Sequence, residues 1–125
     1  MKILDIRCLH FCFSVKPINK DIKTALKTDI SFSTQYNEEQ KTCTVIMDVT
    51  SDNTEESPIL LQISYGGTFD LEDITPEHPE YKRITSVDLP ATIFPYIREH
   101  IQDTARRSKI ERIDMPFVNF ADANK

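Results

Sequence analysis

Glycine is almost absent from this chain. Gly66 and Gly67 are the only two in 125 residues, and they are adjacent, in the stretch ISYGGTFDL at 63–71. The sequence has no G-x-G-x-x-G and no G-K-[ST] pattern, so a loop that cradles phosphate is not supported. Paired glycines allow positive φ or a close approach of the backbone. We therefore expect a bulge or sharp bend there, at the end of a strand, without a chemical role.

Long apolar runs are also missing, and cysteine is scarce. No run approaches the roughly 20 residues of a membrane span, and Asp5 and Arg7 interrupt the apolar N-terminus, so neither a signal peptide nor membrane insertion is predicted. The chain has three cysteines, Cys8, Cys12 and Cys43, an odd number that does not indicate a disulfide framework. They indicate reduced thiols and a cytoplasmic location.

Positive charge is in deficit as well. Fifteen Lys and Arg residues against 20 Asp and Glu residues give a net charge of -5. Nucleic acid is therefore not expected as a partner, because phosphate binding needs a basic surface. The length fits one domain over residues 1–125, large enough to bury a core without metals or disulfides.

The stretch CLHFC is the most tempting candidate for a metal site. Cys8, His10 and Cys12 alternate along a predicted strand, where alternate residues lie about 6.8 Å apart, whereas zinc needs sulfur at about 2.3 Å. We therefore expect no metal and no cofactor. His78 and His100 have no evident partner, and no nucleophile carries a local motif, so the sequence does not predict an enzyme.

Alternating apolar residues predict four antiparallel strands, and a phase slip at Cys8–Leu9 predicts a bulge in the first. An irregular segment is expected over 68–89, and then a helix over 88–107 with Asp88 as its N-cap. Pro95 should kink this helix or mark its true start. The class is α+β: a four-stranded antiparallel sheet followed by one long helix. The predicted strands are 4–15, 30–36, 42–50 and 57–65.

The sequence also holds more large apolar residues than one sheet and one helix should cover. Phenylalanine and tyrosine side chains occur on both sides of the predicted elements. We expect either a homo-oligomer, a dimer or tetramer joined partly through the helix 90–107, or a groove for apolar peptide segments. Composition does not separate the two.

The second half of the chain resembles the SecB family of export chaperones. YGGTFDL resembles the family's GG-x-F after its fourth strand, and TIFPYIREHIQDTARRSKIERIDMPFVNF resembles its LFPYARE helix start and PVNF. The resemblance implies a tetrameric holdase that binds unfolded polypeptides, including preproteins, and hands them to the SecA motor. It also admits a chaperone of a toxin–antitoxin system whose client is an antitoxin. A non-catalytic oligomerisation or interaction module remains the alternative.

The resemblance further implies site residues. Ile30, Phe32, Met115 and Phe120 would bind peptide. Leu60 and Gln62 would lie on the face that docks SecA, where Gln62 replaces an acidic residue of the family. Only ADANK follows VNF, so the family's second helix is expected to be truncated or absent.

Overall fold

The computed structural model describes residues 2–15, 28–51, 59–108 and 120. Within these ranges the chain forms a four-stranded antiparallel sheet, in the order β1-β4-β3-β2, followed by one long helix. The predicted fold class is thereby confirmed. The segment after VNF, where the family's second helix is expected to be truncated or absent, lies outside the described residues. The elements are β1 Lys2–Val15, β2 Thr28–Asn37, β3 Thr42–Ser51, β4 Ile59–Asp70, α1 Tyr81–Arg83, a π-helical segment Ile84–Asp88, and α2 Leu89–Arg107.

Strict alternation in β3 shows why the sheet has two unlike faces. Cys43, Val45, Met47 and Val49 are all fully buried, while the residues between them are partly or largely exposed. Successive side chains of a strand point to opposite faces, so these four share one face. We call the face that α2 covers the core face and the opposite one the outer face.

The helix α2 covers the core face with the stripe that its sequence predicts. Ile93, Ile97 and Ile101 have no exposed surface, and Ala105 is 4% exposed. Their i, i+4 spacing places them on one side of the helix. Burial of each isoleucine contributes roughly 1.5–3 kcal/mol. No helix among the described residues is long and apolar enough to cross a membrane.

The start of the helix differs from the prediction. Asp88 has helical backbone angles and its side chain makes no capping hydrogen bond, because α1 and the π-helical segment already precede it. Pro90 lacks an N–H, and its ring would clash with a carbonyl four residues back. Leu89, just before it, donates to the carbonyl of Ile84 five residues back, so the turn widens ahead of the proline. The helix continues through Pro95, which therefore does not mark its start.

Bulges occur in β1 rather than at the glycines. The register of β1 against β4 shifts between Cys8 and His10, as the phase slip predicts, and again between Ile3 and Asp5. The strand β4, by contrast, runs unbroken from Ile59 to Asp70 through Gly66 and Gly67, and neither has positive φ. The expectation that the strand ends and bends at these glycines is therefore wrong.

Close packing explains why residues 66 and 67 are glycine. A Cβ on Gly67 would lie 2.9 Å from the Phe69 ring and 3.0 Å from Cδ1 of Ile93. A Cβ on Gly66 would lie 3.0 Å from Cδ1 of Leu9, a side chain that is half exposed on the outer face. Both glycines thus make room for neighbouring side chains, but only Gly67 does so inside the core.

Gly67→Ala should destabilise the protein by about 1–3 kcal/mol, because the added methyl overpacks two fully buried neighbours. Gly66→Ala is the matched control and should cost clearly less, since Leu9 can rotate into solvent. Urea unfolding of both variants measures the difference. Equal stabilities for the two variants would contradict this explanation.

Most of the large apolar side chains expected to be too many for one sheet and one helix pack on the core face. Phe69, Phe94 and Phe120 are buried, and Phe11, Phe13 and Phe32 are half buried against the same core. Phe117 lies outside the described residues. Tyr96, which also belongs to the predicted surplus, stays exposed. The other exposed large apolar side chains among the described residues are Ile3, Leu4, Leu9 and Ile46.

Candidate functional site

Three phenylalanine rings meet where α2 approaches β2. Phe120 lies edge-on to Phe32, with ring centroids 6.0 Å apart, and edge-on to Phe94, with centroids 5.9 Å apart. Edge-to-face contacts of this kind suit the charge distribution of aromatic rings. Phe94 and Phe120 are 5% and 4% exposed, whereas Phe32 is half buried. We call these three residues the aromatic junction.

The end strand β2 extends this apolar surface. Ile30 lies two residues before Phe32 on the same face and is also half buried against the core. Ile30 pairs with Val49 and Phe32 with Met47 of β3. No described residue pairs with the other edge of β2. A row of partly exposed apolar side chains therefore follows a strand edge that has no neighbour within the described ranges.

The four residues predicted to bind peptide thus have different outcomes. Phe32 and Phe120 are in direct contact, and Ile30 shares their face. Phe120 is almost completely buried. In this structure it therefore supports the apolar surface around Phe32 from behind and offers little surface that a peptide could contact. Met115 lies outside the described residues.

A histidine of α2 contacts β1 and β4, at the end of the sheet opposite β2. The ring of His100 stacks on Phe11 of β1, with centroids 4.2 Å apart, and its Nδ1 lies 2.8 Å from the hydroxyl of Tyr65 on β4. His100 therefore has the partners that the sequence did not reveal. Burial, followed by the nearby Cys8 thiol, raises the pKa of Tyr65 above its ordinary value. The phenol is neutral at pH 7 even at its ordinary pKa of about 10, and the shift extends that neutral range to higher pH.

Tyr65→Phe should lower the free energy of unfolding by about 1 kcal/mol, because it removes this hydrogen bond and keeps the ring. Tyr96→Phe is the control, since Tyr96 is 48% exposed and should change stability little. Urea denaturation of both variants tests the difference. A loss confined to Tyr96→Phe would contradict the role of the His100 contact.

The predicted motor-docking residues lie on the outer face, away from the aromatic junction. Leu60 and Gln62 of β4 are both half buried there. Gln62 lies between Cys12 of β1 and Thr50 of β3, and Thr50 in turn pairs with the exposed Asp29 of β2. The nearest acid along β3 is Asp48, which accepts a hydrogen bond from Ser64.

The cysteines and histidines do not come together around a metal. In residues 2–15, 28–51, 59–108 and 120, no group of three or more His, Cys, Asp or Glu side chains could hold an ion. Cys43 is buried, and that burial raises the pKa of its thiol, whereas Cys8 is exposed. The expectation that no metal binds stays a prediction.

Comparison with known proteins decides the family. The family model described as "Preprotein translocase subunit SecB" matches residues 13–123, which is most of the chain. The chain belongs to the SecB family. That membership confirms the resemblance drawn from the YGGTFDL and TIFPYIREH stretches.

Two curated SecB proteins show how distant the relationship is. The protein-export protein SecB of Ralstonia pickettii (strain 12J) is 29% identical over 77 residues, which are 62% of this chain and 44% of that protein. The SecB of Ralstonia nicotianae is also 29% identical over 77 residues, which are 43% of its length. The match thus spans less than half the length of these SecB relatives.

A solved SecB-like structure shares the fold. It is a Mycobacterium tuberculosis SecB-like chaperone in complex with a ChAD peptide from an antitoxin. The superposition has a TM-score of 0.69 at 18% identity and covers 94% of this chain and 90% of that one. At this identity the likeness establishes the SecB-like fold of the chain.

Proposed function

We propose that this SecB family member is a holdase, a chaperone that binds non-native polypeptides without catalysis. The observation that carries the proposal is the half-buried apolar row of Ile30 and Phe32, beside the aromatic junction and along the edge of β2 with which no described residue pairs. We assign peptide binding to this row, with Phe120 as its buried wall. Met115 is included from the family resemblance.

The physical argument concerns what an unfolded client offers. An extended segment carries apolar side chains and unpaired backbone N–H and C=O groups. A strand edge flanked by apolar side chains accepts both, because main-chain hydrogen bonds give affinity and side-chain pockets give preference. Buried apolar area contributes roughly 25 cal/mol per Å², so two or three client side chains provide usable affinity.

The wider setting of the holdase is also a proposal. We propose a homo-oligomer, a dimer or tetramer, that works in the cytoplasm on preproteins destined for export. The three free thiols fit a reducing compartment. Docking of SecA would use the outer face around Leu60 and Gln62. The helix 90–107 would take part in assembly through its exposed side, since its apolar stripe is buried within the subunit.

A second candidate client is an antitoxin. The support is the SecB-like chaperone of Mycobacterium tuberculosis, which was solved with an antitoxin peptide and has the same fold. Gln62, which stands where the family resemblance places an acidic residue, also removes one charge that could attract a motor. Retention of SecA by the immobilised chain at low salt would support the export role. Failure to retain SecA, together with binding of an antitoxin segment, would support the second role.

A binding measurement tests the holdase proposal itself. A permanently unfolded, carboxymethylated polypeptide with a fluorescent label is titrated with the protein, and anisotropy is followed. We expect a Kd on the order of 1 μM, equivalent to about -8 kcal/mol. The folded parent protein, labelled but not carboxymethylated, should not bind. Absence of binding to the unfolded form would overturn the proposal.

A further inference from the structure

A second pair of aromatic rings lies on the core face of β2, at the opposite end of the strand from Ile30. Tyr36 pairs with the buried Cys43 of β3 and lies edge-on to Tyr81 of α1, with ring centroids 5.8 Å apart. Both tyrosine rings are half buried against the core. The core face of β2 is therefore covered at two separate places, at the aromatic junction and at this tyrosine pair.

Between these two places the core face of β2 is open. Thr34 lies two residues from both Phe32 and Tyr36, so its side chain points to the same face. Thr34 is nonetheless exposed, whereas its two neighbours on that face are half buried. Val45, the residue of β3 that pairs with Thr34, has no exposed surface. The gap above Thr34 therefore ends at the edge strand and does not reach into the core.

The gap has room for one large side chain. Alternate residues of a strand are about 6.8 Å apart, so the Cα atoms of Phe32 and Tyr36 are separated by roughly 13–14 Å. Each ring takes up part of that distance, and the small side chain of Thr34 fills little of the rest. Aromatic rings pack favourably against other rings in edge-on or offset arrangements. The two walls of the gap therefore favour an aromatic side chain.

We propose that Thr34 is a specificity-determining residue of the peptide-binding row, and that the gap above it receives one aromatic side chain of an extended client. The inference rests on the proposed holdase function and names the client feature that the site prefers. Whichever way a client strand runs along the edge of β2, the client residue opposite Thr34 directs its side chain to the core face. That side chain lies beside the small threonine and diagonal to Phe32 and Tyr36, within reach of both rings.

The same geometry restricts the neighbouring client residues. Client residues two positions before and after the aromatic one lie opposite Phe32 and Tyr36 on the same face. The two rings occupy space there, so small or β-branched client side chains fit best. The core-face side chains from Ile30 to Tyr36 carry no charge, so a charged client residue in the gap would lose solvent without gaining a partner. The preferred client segment therefore has an aromatic residue with smaller residues two positions away on each side.

Paired peptides test this preference by fluorescence anisotropy. The labelled peptides have the sequence Lys-Thr-Val-Thr-Xaa-Thr-Val-Thr-Lys, in which Xaa is either Trp or Ala. Wild-type protein should bind the Trp peptide about tenfold more tightly than the Ala peptide, because the ring is buried against two others. Thr34→Trp fills the gap with a ring of the protein itself. It should reduce the ratio of the two Kd values to about twofold or less, chiefly through weaker binding of the Trp peptide.

Two further variants make the outcome decisive. Ser33→Trp adds the same ring on the outer face, where Ser33 pairs with Ile46, and should leave the ratio unchanged. Tyr36→Thr removes one wall of the gap and should lower the ratio about threefold. Circular dichroism confirms that each variant is folded.

The assignment is wrong if wild-type protein binds both peptides equally, or if Thr34→Trp and Ser33→Trp have the same ratio. Wild-type binding of the carboxymethylated polypeptide separates these results from failure of the holdase proposal. If the holdase proposal fails, wild-type protein binds neither the polypeptide nor the peptides.

Discussion

Phe32→Asp is expected to weaken binding of an unfolded polypeptide at least tenfold. Phe32 is half buried at the aromatic junction, so a client that covers it would bury a carboxylate against apolar side chains. An unpaired charge in such surroundings costs several kcal/mol or shifts its pKa instead. Fluorescence anisotropy with the carboxymethylated polypeptide measures the loss.

Ser33→Asp supplies the matched control for this variant. Ser33 follows Phe32 in β2 and lies on the outer face, where it pairs with Ile46 of β3. The substitution Ser33→Asp adds the same charge as Phe32→Asp. Ser33→Asp should leave the Kd for the polypeptide within about twofold of the wild-type value. The added carboxylate lies in solvent on the outer face, where an exposed charge contributes little. Urea unfolding of both variants separates loss of binding from loss of structure. Equal weakening by both substitutions would argue against a site on the core face of β2.

Phe120→Ala is expected to have the largest effect on stability, a loss of about 3–5 kcal/mol. Phe120 is 4% exposed and contacts the rings of both Phe32 and Phe94, so the truncation leaves a cavity between strand and helix. Tyr96→Ala removes a ring that is 48% exposed and should cost less than about 1 kcal/mol. Chemical denaturation compares the two. A small effect of Phe120→Ala would mean that this residue contributes little to the core.

The burial of Phe120 also decides which substitution reports on binding. A charged substitution at Phe120 would disturb the ring contacts that connect strand β2 to helix α2. Such a variant would therefore lose stability, and a loss of peptide binding could not be assigned to the site. Phe32 has the exposed surface that a client can reach, and Ser33 provides its control. Phe32 is therefore the more informative of the two predicted groove residues.

Much of the fold was predictable because local patterns reflect burial directly. The alternation of Cys43, Val45, Met47 and Val49 predicts a strand with one buried face, and the spacing of Ile93, Ile97 and Ile101 predicts the helix. The phase slip at Cys8–Leu9 likewise predicts a bulge that the register shows. Each of these signals lies within a few residues of sequence.

The errors arose where distant residues determine the local structure. Gly66 and Gly67 read as a strand end, but β4 continues through them because their missing side chains make room for Leu9, Phe69 and Ile93. The Tyr65–His100 contact joins residues 35 positions apart, and no local pattern marks it.

The candidate site was predicted only through the family resemblance. That resemblance placed Phe32 and Phe120 in one site, and the structure brings their rings into contact. The near-complete burial of Phe120 depends on the packing of α2 against the sheet, which the residues around Phe120 do not encode.

The measurement that tests the central claim most directly is the aggregation of a slowly refolding model protein, followed by light scattering. The model protein is diluted from denaturant with and without the purified chain. A holdase should delay aggregation at near-stoichiometric amounts, and Phe32→Asp should lose the delay while Ser33→Asp keeps it. Unchanged aggregation in the presence of a several-fold molar excess of wild-type protein would contradict the chaperone function.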